Sequence, residues 1–245
     1  MKNSIRVTTI GLLAFAVLLL ATDSWAQQRA PIIDQIAKTY GVESWDKVEA
    51  IRYTWNIDIP GLFKLTHMWE WEPKTGKISF EGKDKEGKPV KVTYIESQLS
   101  SQPDNVKNEV EPAFVNDNYW LIFPFHAYWD KSATVSDEGM KKLPIGTGTA
   151  RLVSVKYPQE AGGFTPGDTW DLYVGKDNRI VQFLYHRGGP KPPRLVPATW
   201  TGYKKAGPLL FSTGHRGNAD GKPLHLWITD IAVKLTGSDN WVNAQ

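Results

Sequence analysis

The 245-residue sequence contains no cysteine. Disulfides and thiol catalysis are therefore excluded, and a lipid anchor of the bacterial lipoprotein type is not expected, because that anchor is attached to a cysteine. Signature motifs are lacking too: there is no G-x-S-x-G nucleophile elbow, no phosphate-binding G-x-x-x-x-G-K-[ST] and no dinucleotide-binding G-x-G-x-x-G. The sequence thus predicts no catalytic residues and no cofactor, and stability must come from the apolar core.

Long apolar runs are also scarce, and the one that occurs is N-terminal. Two basic residues precede an apolar run of 12 residues over Ile10–Ala21, and the small residues Ser24 and Ala26 suit a signal peptidase. A helix needs ~20 apolar residues to cross a bilayer, so a cleaved signal is favoured over a retained membrane anchor. We therefore expect a signal peptide at 1–26, cleavage near Ala26, and a single domain at 27–245. That domain is expected to be periplasmic or secreted and not to span a membrane.

Charge and histidine spacing point to neither nucleic acid nor metal. The net charge is +3, with acidic and basic residues interspersed rather than clustered, so a nucleic-acid partner is not expected. The histidines lack the close spacing of metal-binding pairs, and no metal site is predicted. They are His67, His126, His186, His215 and His225. Asp168 and Asp171 lie three apart on a predicted strand and so face opposite sides, which argues against a concerted acid–base pair.

Alternation of apolar and polar side chains is the most informative pattern in the sequence. From residue 51 to residue 71, apolar and polar side chains exchange at almost every position. The apolar positions before the Pro60-Gly61 turn are Ile51, Tyr53, Trp55, Ile57 and Ile59, and those after it are Phe63, Leu65, His67, Trp69 and Trp71. Side chains on a strand point to opposite faces in turn, so this pattern predicts two long strands with one wet and one dry face. Three tryptophans on the dry face indicate a sheet curved around a large apolar interior.

The remaining pattern predicts a mainly β fold. A short helix is expected over Pro31–Tyr40 and another near 104–111, and 217–221 is expected to be a turn. The strands expected after residue 132 are Ala133–Ser136, Thr149–Tyr157, Asp168–Val174, Arg179–His186, Ala198–Lys205, Leu209–Gly214 and Leu224–Val233. With the earlier strands they number about ten or eleven, without a βαβ rhythm. We therefore predict a curved antiparallel sheet that forms an incomplete, half-open barrel, with a few short helices as a lid.

The stretch from Phe114 to Trp129 is the most aromatic part of the chain. Pro124 interrupts it, so a long regular helix is not expected. Core packing is one interpretation, since aromatic side chains dominate burial in large β proteins; a lid over an apolar cavity is the other, and we favour it slightly. The side chains predicted to line a ligand cavity are Tyr53, Trp55, Leu65, His67, Trp69, Trp71, Trp120, Phe123 and Phe125.

Two blocks of sequence resemble a known family. One is GGFTPGDTWDLYV at 162–174, continued by NRI at 178–180 and YHRGG at 185–189; the other is NDNYWLIFPF at 116–125. They resemble a family of exported bacterial proteins of unknown function that is similar to the superfamily of LolA-type lipoprotein carriers and LolB-type receptors. The resemblance implies a deeply curved, incomplete antiparallel barrel closed by helices, in which carriers hold acyl chains. It implies no functional residues for this chain.

Three functions remain open at this point, ranked as follows. The first is non-enzymatic binding of a lipid or other apolar ligand in the sheet-lined cavity, with a lipoprotein or envelope protein as a further partner. The second is a hydrolase or isomerase in that cavity, using His67 or His126 with a nearby acid. The third is an envelope interaction module with a filled core. An inward-facing histidine bonded to a carboxylate beside an open pocket would favour the second.

Overall fold

The computed structural model describes residues 29–160, 166–189 and 194–245. The predicted signal peptide lies outside these residues. Within them, the α-helices are α1 (Ile32–Tyr40) and α2 (Glu111–Trp129), with 3-10 turns at Val42–Lys47 and Glu96–Ser101 and a π-helical turn at Val106–Val110. No helix in the described part of the chain combines the length and apolarity needed to cross a bilayer.

Strands make up about half of the described chain. The first seven are β1 (Val48–Ile59), β2 (Phe63–Glu72), β3 (Lys77–Lys83), β4 (Pro89–Ile95), β5 (Thr134–Lys142), β6 (Thr149–Lys156) and β7 (Thr169–Val174). The others are β8 (Ile180–His186), β9 (Leu195–Thr199), β10 (Lys204–Ala206), β11 (Leu209–Phe211), β12 (Gly214–Ala219), β13 (Lys222–Leu235) and β14 (Trp241–Asn243).

One antiparallel sheet holds twelve of these strands, in the order β4-β3-β2-β1-β13-β12-β9-β8-β7-β6-β5, with β14 paired to β13. Strands β4 and β5 are its two free edges, so the sheet does not close into a barrel. Both halves of the sheet pack on α2: Trp69 of β2 lies 5.3 Å from Phe114, and Trp170 of β7 lies 4.4 Å from Phe123, between ring centroids. The predicted fold class, a curved and incomplete antiparallel barrel, is confirmed.

The alternation in β1 and β2 builds the inner face of this sheet. Ile51, Tyr53 and Trp55 are at most 3% exposed, and the register places Tyr53 opposite Trp69 and Trp55 opposite His67. Cross-strand aromatic pairs of this kind stabilise a sheet beyond the area that they bury. Each fully buried apolar side chain contributes roughly 1.5–3 kcal/mol, so the period-two pattern fixes which face turns inward.

The expectation that Pro124 prevents a long regular helix is confirmed. The 19 residues Glu111–Trp129 form two helical segments that meet at a kink, and Pro124 lies just after it. The backbone leaves helical geometry at Ile122, where φ is −130° and ψ is 27°. Proline lacks an N–H and its ring collides with the carbonyl four residues earlier, so a local break is the way in which a helix accommodates it. The helix therefore continues past Pro124 as two segments joined at Ile122.

One predicted strand and one predicted turn differ from the structure. The strand predicted over Ala198–Lys205 is two strands, because Gly202 adopts a φ of +68° between β9 and β10. The predicted turn at 217–221 contains the end of β12. A Cβ on Gly217 would lie 1.9 Å from the carbonyl oxygen of Pro197 on β9, so this glycine permits two strands to approach closely rather than making a turn.

Candidate binding cleft

A cleft of about 550 Å³ lies between α2 and one end of the concave face of the sheet. The strand register brings the β1–β2 turn, the β12–β13 turn, the end of β8 and the start of β9 to this same end of the sheet. Asp58 pairs with both Lys64 and His225, and His186 pairs with Leu195. The volume falls in the range of ~300–1,000 Å³ that is typical of small-molecule sites. The concave sheet is therefore not completely filled by α2.

The wall of the cleft is mainly apolar. Its apolar and aromatic lining comes from β1 and β2 (Trp55, Ile57, Ile59, Phe63, Leu65), from α2 (Pro112, Ala113, Val115, Tyr119, Trp120) and from later strands (Trp170, Tyr185, Val196, Ala219, Leu224). Phe63 is 46% exposed and Leu65 is 37% exposed, whereas Trp55 is buried. Exposed apolar side chains beside a concave apolar wall make this cleft a candidate site for an apolar ligand.

A buried His–Asp pair forms the polar part of this wall. Nδ1 of His67 lies 2.7 Å from Oδ2 of Asp117, and the indole Nε1–H of Trp69 donates to the same oxygen at 2.9 Å. Asn116 donates to the other carboxylate oxygen at 3.0 Å. Burial raises the pKa of Asp117, and the hydrogen bonds from His67, Asn116 and Trp69 act in the opposite direction. In the tautomer that carries its proton on Nδ1, His67 is a third donor to this carboxylate, and Nε2 is then the ring nitrogen that can accept a hydrogen bond.

His67 stands where two concavities meet. A second cleft of about 390 Å³, between β3 and the start of α2, shares Leu65, His67 and Ala113 with the first. The imidazole ring stacks on Trp55 at 5.4 Å between centroids, which fixes its plane. With Nδ1 held by Asp117 and the ring held by Trp55, the orientation of His67 is set from two directions.

The other histidines are placed differently. Burial lowers the pKa of His126 to about 4 and that of His215 to about 3, so both are neutral at physiological pH. His126 is hydrogen-bonded to Asn118 at 2.7 Å, and neither histidine lines the cleft. His186 pairs with Asp171 at 2.9 Å, also away from the cleft. Among the described residues, no group of three or more His, Cys, Asp or Glu side chains is placed to hold a metal ion.

The structure distributes the nine predicted cavity residues over two environments. Trp55, Leu65, His67 and Trp120 line the cleft. The other five, Tyr53, Trp69, Trp71, Phe123 and Phe125, lie outside this lining. Phe123 and Phe125 are fully buried in the core, and Trp71 packs on Trp45 and Phe114. A ligand role for any of the nine stays a prediction.

Several cleft residues were missed. Ile57 and Ile59 share the parity of Trp55 and could have been included on that signal alone. Asp117 belongs to a polar triplet in the sequence, and nothing local shows that it points inward. Trp170 and Arg187 reach the cleft only through the pairing of β7 and β8 with strands far away in sequence.

A larger groove of about 1030 Å³ lies on the opposite face of β1 to β4 and β13. Its lining includes the outward-facing charged residues Arg52, Glu70, Glu81 and Lys91. Mixed charges at such positions are the solvated face that the alternation predicts. The apolar cleft is therefore the better candidate for a ligand site.

No family model and no curated protein sequence matches the chain. Solved structures do. A DUF1329 family protein from Desulfovibrio piger is 9% identical, with a TM-score of 0.45, over 85% of this chain and 94% of that one. A LolA superfamily protein from Nitrosomonas europaea is 7% identical, with a TM-score of 0.45, over 82% of this chain and 90% of that one. The Mycobacterium tuberculosis lipoprotein LppX is 7% identical, with a TM-score of 0.27, over 85% of this chain and 97% of that one. The solved structures that the chain is similar to thus include a DUF1329 family protein and a LolA superfamily protein.

Proposed function

We propose that this protein is an exported, non-enzymatic binder or carrier that buries the acyl chain of a lipid in the cleft. The observation that carries the proposal is the apolar wall of the cleft, which remains open to solvent between α2 and the sheet. The N-terminal apolar run supports export, and with it a site of action in the periplasm or outside the cell. A lipoprotein or another envelope protein is a further partner under this proposal.

The proposed binding is hydrophobic. An acyl chain in the cleft would cover Phe63 and Leu65, which are 46% and 37% exposed, and would lie against the buried ring of Trp55. Each methylene removed from water contributes about 0.8 kcal/mol, so several are needed to offset the entropy lost when a flexible chain is immobilised. The cleft therefore favours long, flexible apolar groups over small polar ones.

A pair of substitutions on β2 tests this proposal. Leu65 and Met68 are both partly exposed, at 37% and 42%, but they face opposite sides of the sheet, Leu65 towards the cleft and Met68 towards the outer groove. Leu65→Glu puts a charge against the bound chain, and we expect at least a tenfold loss of affinity for a fluorescent acyl probe. Met68→Glu makes the same change in charge on the other face, and affinity should remain that of the wild type.

The result against the proposal is equally clear. If wild-type protein takes up no acyl probe, and mass spectrometry of protein purified gently from its host finds no lipid, the cleft is not a lipid site. Equal loss in the two glutamate variants would place the site elsewhere.

The His67–Asp117 pair favours a second candidate, an enzyme acting in the same cleft. Asp117 would hold the imidazole and stabilise its cationic form while Nε2 removes a proton from water or from a carbon next to a carbonyl. Among the described residues that line the cleft, none is Ser, Thr or Cys, the nucleophiles that a His–Asp pair commonly activates. The candidate reactions are therefore hydrolysis by activated water and isomerisation by proton transfer.

Hydrolysis of 4-nitrophenyl decanoate separates the two functions. An enzyme should lose about 10²- to 10⁴-fold in rate in His67→Gln, with binding of the uncleaved probe retained. A carrier should bind the probe and show no hydrolysis that depends on His67. Equal background rates in the wild type and the variant would remove the enzyme candidate.

A further inference from the structure

Two arginines flank the mouth of the cleft. Arg187 follows β8 and Arg194 precedes β9, and both line the cleft. The backbone N–H of Arg187 donates to the carbonyl of Arg194 at 3.0 Å, which fixes the two ends of this connection against each other. The backbones of the two arginines are therefore adjacent, and both residues line the cleft beside its apolar wall.

The charges at the mouth are not evenly balanced. Arg194 is paired with Asp220 at 2.6 Å. Asp168, the other carboxylate here, is 6% exposed and accepts hydrogen bonds from the hydroxyl of Tyr185 at 3.0 Å and the backbone N–H of Gly188 at 2.8 Å. The side chain of Arg187 is hydrogen-bonded to Tyr185. Among the described residues no ion pair joins Arg187 to a carboxylate, whereas Arg194 has one.

We propose that the ligand is an amphiphile with an anionic head group, and that Arg187 binds this group while the acyl chain lies along the apolar wall. This inference rests on the function proposed above and adds the chemical class of the ligand. Guanidinium presents a planar fork of donors that matches the oxygens of a carboxylate or a phosphate. The shared chemistry is an oxyanion on a chain, from a fatty acid or from a phospholipid.

The test uses three ligands with the same chain: dodecanoate, dodecyl phosphate and dodecanol, each titrated calorimetrically into the mature protein. A charged hydrogen bond should make at least one of the two anions bind about tenfold or more tightly than dodecanol, and the anion with the larger preference identifies the source. In Arg187→Gln this preference should fall to near one while dodecanol affinity is unchanged. Arg216→Gln, on the exposed side of β12 and outside the cleft, is the matched control and should keep the preference.

The outcomes separate the two proposals. If all three ligands bind with similar affinity, or if Arg187→Gln keeps the full preference for the anion, the head-group inference is overturned and the apolar binder stands. If none of the three ligands binds to wild-type protein that unfolds cooperatively, the proposed function is wrong, and the head-group inference, which rests on it, is wrong too.

Discussion

The two halves of helix α2 are both rich in aromatic residues, but they lie in different surroundings. The first half, Glu111 to Trp120, supplies the helical wall of the cleft, including Val115 and Asp117. The second half, Leu121 to Trp129, is buried on nearly every side and contributes nothing to the cleft. The break at Ile122 separates them. An aromatic sequence thus marks burial, but only the first half of α2 also supplies a wall of the cleft.

The largest effect is expected in the core half. Phe125 is fully buried, with ring centroids 5.0 Å from Trp45 and 5.5 Å from Trp129. Phe125→Ala should lower the free energy of unfolding by roughly 3–5 kcal/mol, because it removes the transfer energy of the ring and leaves a cavity. Urea unfolding measures the loss, and acyl-probe affinity measured on the folded fraction should be unchanged.

Phe125→Leu is the control for that substitution, since it keeps most of the volume and should cost about half as much or less. A loss below about 1 kcal/mol for Phe125→Ala would contradict the division of α2. Weakened probe binding with stability intact would contradict it equally, because both results would place Phe125 in the ligand wall.

The next largest effect is a loss of stability at acidic pH, and it is caused by His126 in the second half of α2. Burial holds the pKa of His126 at about 4, while an unfolded histidine has a pKa near 6.5. Between these values the unfolded chain binds more protons, so the stability due to neutral His126 is fully present above pH 6.5 and is lost as pH falls towards 4. From pH 6.5 to pH 5 the loss is roughly 2 kcal/mol for this residue.

Urea unfolding at pH 7 and pH 5 tests this linkage in His126→Gln, whose amide can still donate to Asn118. The variant should lose roughly 2 kcal/mol less than the wild type between the two pH values. His215, with a pKa of about 3, continues to contribute in both proteins. Identical acid losses in the two would show that His126 is not buried as a neutral ring.

The fold was predictable where neighbouring residues alone decide the structure. The alternation of apolar and polar residues over 51–71 predicted β1, β2 and their inner face, because the odd or even position of a residue on a strand decides its face without information from elsewhere in the chain. The errors came where long-range contacts decide. Gly217 reads as a turn residue, yet its lack of a Cβ serves the contact with Pro197 on a neighbouring strand. Pro124 correctly predicted that no long regular helix forms, but it could not show that helical segments on both sides of the break pack in the sheet.

The site was predictable only in part for the same reason. Trp55, Leu65 and His67 could be placed on the inner face from parity. Parity does not tell which inner residues contact α2 and which face open space, so the core ring of Phe125 and the cleft ring of Trp120 could not be distinguished. Arg187 and Trp170 needed the complete strand order, which brings β7 and β8 round to face β1 and β2 across the helix.

The smallest change in stability is expected in the cleft half. Val115 is partly exposed on α2 and lines the cleft. In Val115→Ala the lost contacts are offset by the better helix propensity of alanine, so the free energy of unfolding should change by less than about 1 kcal/mol. Acyl-probe affinity should nevertheless fall several-fold, because methyl groups that cover the bound chain are gone. Probe titration and urea unfolding of the same preparation measure the affinity and the free energy of unfolding. Phe125→Ala should show the opposite pattern, a large loss of stability with unchanged affinity. A destabilisation of Val115→Ala as large as that of Phe125→Ala would mean that both halves of α2 are core and that the cleft is only a defect in packing.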